Sequence, residues 1–421
     1  MRNILGIVGG GASGLMAAIC AKEQAPSLSV VLLEARERVG KKLLATGNGR
    51  CNLTNQGGLQ GRYHGDAAFA GQVFENFGVK ETLSLFDRLG VSPVVLEDGK
   101  VYPRSLQASA VLDALRLRSQ ELGVEVLCGC GVEDIQPVQN GFLLHCTGAR
   151  ESFPVGAVVV CAGGKASSSL ASDGAGYPLL TRLGHTMTAL HPAIVQVRTD
   201  TSLIRPLKGI KTVARVTACA KGKKRVETGE VLFTEYGLSG PPVLQVSRLL
   251  SAAGGGRISL DLIPDWNEER LAQELERRFH TLAGRTLDQY LIGLLHKRLG
   301  ECVMKAAGIG PLSRPVSSLT VAERCSLSQK IRAFALDCRG AHSWQSAQVT
   351  AGGICTEEFD PHTLQSRKIP GLFAAGEVLN VDGDCGGFNL QWAWSSGRTA
   401  GLAAAEYLER SNANSHRRVK R

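Results

Sequence analysis

Three glycines spaced Gly9-x-Gly11-x-x-Gly14 stand between the apolar run Ile4-Leu5-Gly6-Ile7-Val8 and a helical pattern that reaches Ala25. Gly9 permits a tight turn, Gly11 lets the backbone approach a pyrophosphate, and Gly14 allows close packing of helix on strand, with phosphate on the helix N-terminus. A second run, Val30-Val31-Leu32-Leu33, ends in Glu34, 20 residues beyond Gly14. That spacing brings a carboxylate to an adenosine ribose hydroxyl. A lone glycine fingerprint is weak evidence. Here strand, turn, helix, strand and acid stand in order, which predicts a dinucleotide site rather than a structural turn.

Two further stretches carry site chemistry. The loop Ala45-Thr46-Gly47-Asn48-Gly49-Arg50-Cys51-Asn52-Leu53-Thr54-Asn55 is dense in turn formers, backbone N–H groups and side-chain donors. It suits a pyrophosphate or the edge of a heteroaromatic ring. Near the other end, Pro370-Gly371-Leu372-Phe373-Ala374-Ala375-Gly376-Glu377-Val378 reads as a strand ending in Gly-Glu, and Asp382 to Gly397 opens the final helix. A carboxylate at a strand end, followed by glycines at a helix N-terminus, can hold a polyol hydroxyl and a polarised ring carbonyl. One half of a dinucleotide is therefore expected on the first turn and the other half on this one.

Twelve cysteines are scattered with no Cys-x-x-Cys pair, and Cys128-Gly-Cys130 has no matching pair downstream. A zinc site and a disulfide framework are both disfavoured. No Cys-x4-Cys redox pair is present either, which argues against a flavin disulfide reductase. Cys51 and Cys385 lie in glycine-rich loops and are the candidate proton donors, each weighed against an inert buried thiol. His191, before Pro192, is a weaker candidate. No second glycine fingerprint follows a strand, since Gly129-Cys130-Gly131 runs on into Val132-Glu133. A nicotinamide reductant, NADH or NADPH, would have to visit rather than occupy a domain of its own.

The positioning elements follow from periodicity. Residues 66–90 and Gln107 to Leu122 read as helical, Val124 to Leu127 as a strand, and Val132 to Ile135 and Phe142 to Cys146 as a hairpin. Val155 to Cys161, ending in Ala162-Gly163-Gly164, is fully apolar and suits a parallel strand buried on both faces. From His191 the texture becomes alternating, as in Val213 to Ala218, Glu230 to Thr234 and Arg257 to Leu262, which predicts antiparallel strands in a barrel or open sheet. Helical patterns broken by Gly284, Gly300 and Gly308 follow from Asn267 to Arg332. The expected class is α/β: a Rossmann-type domain split in sequence, with an inserted β-barrel carrying a small helical cap. The boundaries drawn are 1–190 and 350–421 for the nucleotide domain, 191–263 and 334–349 for the barrel, and 264–333 for the cap.

At 421 residues the chain is long enough for two or three domains, and 43% hydrophobic residues with 5% aromatics fit a soluble globular protein. No apolar run approaches the ~18 residues of a membrane span, and the opening strand and glycine turn do not read as a signal peptide. A cytoplasmic location is expected. Net charge is +10, and between His191 and Arg332 there are 22 Lys and Arg against 13 Asp and Glu. Almost all the excess thus belongs to the inserted region, with a further basic cluster from His416 to Arg421. Such a surface draws polyanions, although a merely solvated face accounts for charge alone equally well.

The set Gly9-x-Gly11-x-x-Gly14 with Glu34, Gly49-Arg50-Cys51-Asn52-Leu53-Thr54-Asn55, Gly237-Leu238-Ser239-Gly240-Pro241, Thr350 to Ile354 and Gly386-Gly387-Phe388-Asn389-Leu390-Gln391-Trp392-Ala393 resembles the HI0933-like family of flavoproteins over the whole chain. Asn48 stands where the family more commonly has glycine, which a left-handed Asn tolerates. The resemblance implies FAD, with Gly9, Gly11, Ala12, Ser13, Gly14, Glu34, Ala35, Lys42 and Leu43 among its contacts. It extends these to Thr46, Gly47, Asn48, Gly49, Arg50, Cys51, Asn52 and Val132. Ala162, Gly163, Gly164, Gly376, Glu377, Gly387, Asn389, Leu390 and Gln391 complete the implied set, and no metal is expected.

Activities ascribed to the family are NAD(P)H-dependent reduction of a carbon-carbon double bond, in a uridine of large-subunit ribosomal RNA or a bile-acid enone, and oxidation of aminoacetone. The leading expectation is reduction of a ribosomal RNA uridine to dihydrouridine, with the basic inserted domain meeting RNA. Reduction or oxidation of a small molecule is the alternative, and a non-catalytic FAD-bearing RNA-binding protein a third.

Overall fold

The computed structural model describes residues 3–148, 151–170 and 172–419, with side chains to residue 413. The chain divides into two compact units, Met1–His191 with Val349–Arg421, and Pro192–Gln348.

The first unit is built on a five-stranded parallel sheet in the order Leu372–Ala374, Ala157–Val160, Ile4–Val8, Ser29–Glu34, Glu125–Cys128. Ile7 pairs with Val159 on one side and Leu32 on the other, and all three are fully buried. Continuous runs of branched residues suit a strand with no solvent face. A three-stranded antiparallel sheet, Ser152–Val155, Gly141–Cys146 and Val132–Val138, adjoins it in sequence. Helix Ala12–Gln24 buries nine consecutive residues, Ser13 to Ala21. It packs against the last helix, Phe388–Val419, where Gly397 and Gly401 lie on the backbones of Ser13 and Ala17 so closely that a Cβ at either glycine would drive into a carbonyl oxygen. The helical stretch 66–90 is two helices, Ala67–Asn76 and Val79–Arg88, parted at Phe77-Gly78.

The second unit is a closed barrel of six strands, Val197–Thr199, Gly237–Ser239, Lys223–Phe233, Lys211–Ala220, Gly256–Asp261 and Phe334–Ala341, in that spatial order. Its long hairpin alternates strictly: Ala214, Val216 and Ala218 are fully buried while Lys211, Val213, Arg215 and Cys219 face water. Lys221 (φ 46°) and Gly222 (φ 74°) make the two-residue turn, whose positive φ values match the twist of the flanking strands. Strand patterning gives no sign of helix Pro241–Ala253, which starts on two prolines, stops at Gly254 (φ 77°) and buries Val243, Val246 and Leu250 in the barrel core. Helices Glu268–Thr281, Lys297–Ala306 and Val321–Arg332 add Leu271, Val303 and Ile331 to the same core. Barrel and helices therefore share one core rather than two. No helix among the described residues is long and apolar enough to cross a membrane. The basic tail from His416 lies outside the described side chains.

Candidate functional site

The glycines of the first turn do three different jobs. Gly9 has φ +104°, and a Cβ there would sit 2.5 Å from the Cys161 carbonyl oxygen. A Cβ on Gly14 would drive into the Gly9 carbonyl oxygen, so helix and strand could not close. Gly11 is different: a Cβ would meet nothing within 4 Å. The space above it is open, and the amides of the first turn, from Ala12 onward, have no intrahelical acceptor. That opening over a helix N-terminus fits a pyrophosphate. Ser13 points inward, bonded to the Cys161 thiol, which burial pushes up to about 12.

Glu34 ends its strand with both carboxylate oxygens engaged, accepting from Gly10 N at 2.8 Å and Arg36 N at 2.9 Å. Each oxygen keeps a second lone pair for a ribose hydroxyl. Ala35 is exposed and Val132 half-buried, and the strands carrying them are tied where Cys130 N donates to Glu34 O at 2.9 Å.

The loop after helix Lys41–Ala45 is held in left-handed conformations at Gly47 (φ 58°), Asn48 (φ 56°), Gly49 (φ 82°) and Cys51 (φ 58°). Thr46 Oγ1 donates to Leu43 O at 2.7 Å and Cys51 N donates to Thr46 O at 2.9 Å, fixing the bend. Arg50 lies 5.0 Å above the Tyr102 ring. Cys51 is fully buried. Burial pushes its thiol up to about 12 against the opposing pull of the Thr46 hydroxyl, so it is a neutral, enclosed group without the exposure a proton donor needs. Asn52 carries the opposite signal, since its buried Oδ1 has no hydrogen-bond partner among the described residues. A Cβ built on Gly387 would come 2.8 Å from that oxygen. An orphaned amide beside a glycine marks a place for a polar ligand edge.

Glu377, after strand Leu372–Ala374, accepts from Lys42 Nζ at 2.7 Å and Thr350 N at 2.8 Å. Lys42 also donates to Ala166 O at 3.2 Å and Ser172 Oγ at 3.4 Å, so four segments distant in sequence meet around one ammonium and one carboxylate. Gly164 lies against Glu377 and Thr350, Gly163 has φ +73°, and Ala162 backs onto Gly176.

The last turn looks most chemical in sequence and proves to be mostly brace. Asn389 accepts from Gly383 N at 2.8 Å and donates to Gly383 O at 2.8 Å and Asp384 O at 3.3 Å, clamping the loop before it. Gln391, fully buried, accepts from Thr54 Oγ1 at 2.6 Å and donates to Thr82 Oγ1 and Ser395 Oγ at 2.8 and 2.9 Å, so both its N–H donors are used inside the protein. Trp392 and Trp394 donate to Gly376 O and Leu53 O, both at 3.0 Å. What faces outward is backbone: Gly387 and the first amides of the helix, with Leu390 half-buried. Cys385 is half-buried, and burial raises its thiol while Lys100 opposes the shift.

One group has no sequence signature. Strand Tyr63–Gly65 pairs with Val381–Gly383 and brings His64 Nε2 to 2.8 Å from Asp384 Oδ1, although 320 positions separate them in the chain. Arg62 Nη1 approaches the other carboxylate oxygen at 3.7 Å. The only hint in sequence is the unexplained acid of Asp382-Gly383-Asp384.

This geometry is matched by kinship. A 3-dehydro-bile acid delta(4,6)-reductase from Clostridium scindens is 38% identical over 96% of this chain and 99% of its own length. A ribosomal RNA dihydrouridine synthase from Escherichia coli is 28% identical over 93% of this chain and 95% of its own. Among solved structures, an E. coli quinol fumarate reductase FrdA variant superposes with a TM-score of 0.50 at 17% identity, over 99% of this chain and 74% of that one, a likeness of fold. The HI0933-like protein Rossmann domain family matches residues 4–403. With the open glycine cradle, the paired carboxylates and the split parallel-sheet domain all in one unit, the chain belongs to the HI0933-like family of FAD-dependent oxidoreductases.

Proposed function

We propose that this protein is a reductase of carbon-carbon double bonds conjugated to a carbonyl, drawing electrons from a transient NADH or NADPH. FAD, when bound, supplies the two-electron chemistry. The residues present fit it: the Gly11 opening and the amides of helix Ala12–Gln24 would take the pyrophosphate. Glu34 would take the adenosine ribose, Glu377 with Lys42 the polyol, and Asn52 with the amides after Gly387 the polar edge of the ring. The chain's own work is to hold these parts and to place a proton beside the acceptor.

A uracil base and a conjugated ketone share that electron-poor double bond, so the relatives differ in the carrier rather than in the chemistry. For this chain we favour a uridine of large-subunit ribosomal RNA. The observation that supports it is the long hairpin of the second unit. Its tip carries Lys221, Lys223 and Lys224, exposed and without a carboxylate partner among the described residues. Other cations of the same hairpin are paired, Lys211 at 2.8 Å from Glu230 and Arg225 at 3.0 Å from Glu227. Three exposed ammonium groups, one in a two-residue turn and two at the start of the strand after it, suit the phosphates of a structured RNA.

The second reading, a free enone of the bile-acid kind, is favoured by the higher identity to the Clostridium relative. Mass spectrometry of nucleosides from large-subunit RNA, with and without the gene, separates the two. Loss of dihydrouridine on deletion, restored by the wild type but not by a variant with Lys221, Lys223 and Lys224 all changed to Glu, is the expected result. Unchanged dihydrouridine sinks the RNA reading and leaves the enone.

A further inference from the structure

A reduction of a conjugated double bond consumes a hydride and a proton, and neither cysteine in the glycine loops is suited to give the proton. Cys51 is sealed, and Cys385 carries a thiol raised by burial. The strand pair Tyr63–Gly65 and Val381–Gly383 brings a different group, His64, against Asp384, the residue before Cys385. His64 is one-quarter exposed, while the Asp384 carboxylate that receives its Nε2 is 4% exposed. Asp384 is itself fixed from three sides. Its backbone N donates to Arg62 O at 2.9 Å, its backbone O accepts from Asn389 Nδ2 at 3.3 Å, and Arg62 approaches its other carboxylate oxygen. Tyr63 Oη donates to Phe388 O at 2.8 Å, tying the histidine strand to the first residue of the last helix. The charged groups around the imidazole are Asp384, Arg62 and, across the strand register, Asp382. A buried acid behind a solvent-touching histidine fixes the orientation of the ring.

We propose that His64 is the proton donor of the reduction and that Asp384 is the residue that positions it. The proposal rests on the reductase reading above. FAD, when bound and reduced, would supply the hydride for a C–H bond at the β-carbon, which leaves the π pair on the α-carbon. That pair takes the proton from the His64 imidazolium, whose N–H bond breaks as the second C–H bond forms. The neutral imidazole recovers a proton from water through its exposed edge.

The test uses FAD-loaded protein, photochemically reduced, mixed in D2O with two probes: a 3-oxo-4,6-diene bile acid and large-subunit ribosomal RNA. Flavin reoxidation is followed by stopped flow and the deuterium in the product by NMR or mass spectrometry. Wild type is expected to place deuterium on one face of the α-carbon. His64→Gln should keep its flavin content and visible spectrum, slow reoxidation by about 100-fold or more, and scatter deuterium over both faces as water replaces the lost acid. Asp384→Asn should slow the step less and keep one face, because the donor remains. His64→Asn guards against a folding defect peculiar to one variant. A His64→Gln protein with wild-type rate and one-faced deuterium overturns the assignment and leaves the reductase reading intact. Wild-type protein oxidised by neither probe overturns the reductase reading and the role of His64 together.

Discussion

The first glycine turn and the last one invite the same reading and work in opposite ways. At Gly9–Gly14 the missing side chains are the function: two glycines let the helix close on the sheet and the third leaves open space. At Gly386–Ser396 the side chains that look like ligands are turned back into the protein. Asn389 clamps a loop, Gln391 joins Thr54, Thr82 and Ser395, and two indoles hold backbone carbonyls. What the second turn presents is the shape its braces impose. Side chains of a cofactor motif can therefore be spent on holding its backbone in shape.

The comparison breaks most sharply on two alanines. Gly14→Ala forces a methyl into the Gly9 carbonyl and should cost on the order of 4–5 kcal/mol, seen as lost soluble yield. Gly11→Ala should fold like wild type within about 1 kcal/mol and weaken FAD by roughly 10-fold or more in a fluorescence titration. Equal behaviour of the two would erase the division of labour among the glycines. Next in size, Gln391→Leu removes the acceptor of the fully buried Thr54 hydroxyl. It should cost about 1–3 kcal/mol in urea unfolding and leave the absorption maximum of bound flavin in place. A shifted maximum would mean that Gln391 touches the ring after all.

The two strand-end acids, Glu34 and Glu377, allow a closer measurement. Changed to Gln, each should keep the fold and weaken FAD by about 10-fold, the equivalent of roughly one lost charged hydrogen bond. An effect on Glu377→Gln alone would make the first turn a backbone site only.

The smallest effect lies away from both turns, at Glu358. Burial pushes its carboxyl up, but bonds from Lys368, Thr186 and His185 outweigh this and bring it down to about 2. A carboxyl lowered on folding adds stability above its ordinary value of 4.5 and loses it as pH falls toward 2. His185, pushed down by burial, acts in the same direction, because the fold favours its neutral form. Glu358→Gln should therefore flatten the acid limb of the melting temperature between pH 4.5 and 2 and leave flavin content at neutral pH unchanged.

Local physics made much of this legible. The β-strand and helix about the first turn, the buried strand Ala157–Val160, and the return to parallel-sheet chemistry at Leu372 all follow from periodicity and glycine placement within short windows. Helix Pro241–Ala253 was hidden between strands, yet its prolines at the start and its apolar residues at Val243, Val246 and Leu250 are the signal that could have found it. The His64–Asp384 pair had no such signal, because its spacing is set by strand pairing across the whole chain. The same limit explains Gln391 and Asn389: side-chain type reveals capacity for hydrogen bonds, whereas their direction is decided by partners far away in sequence.

The seam between Gly397, Gly401 and the helix at Ser13 and Ala17 bears on how the protein is made. The first helix emerges from the ribosome early but cannot bury its second face until nearly the last segment has been synthesised. The central strand Ile4–Val8 and the edge strand Leu372–Ala374 wait on each other in the same way through Ala157–Val160. Closing contacts of such long range is slow, and a nascent chain would meanwhile expose a glycine turn shaped for an anion before the opposite wall exists. A ribosome stalled before residue 372 should therefore carry the second unit folded, with its contiguous barrel, and the nucleotide unit still open and empty of flavin. Release of the final helix is then the event that commits the cofactor.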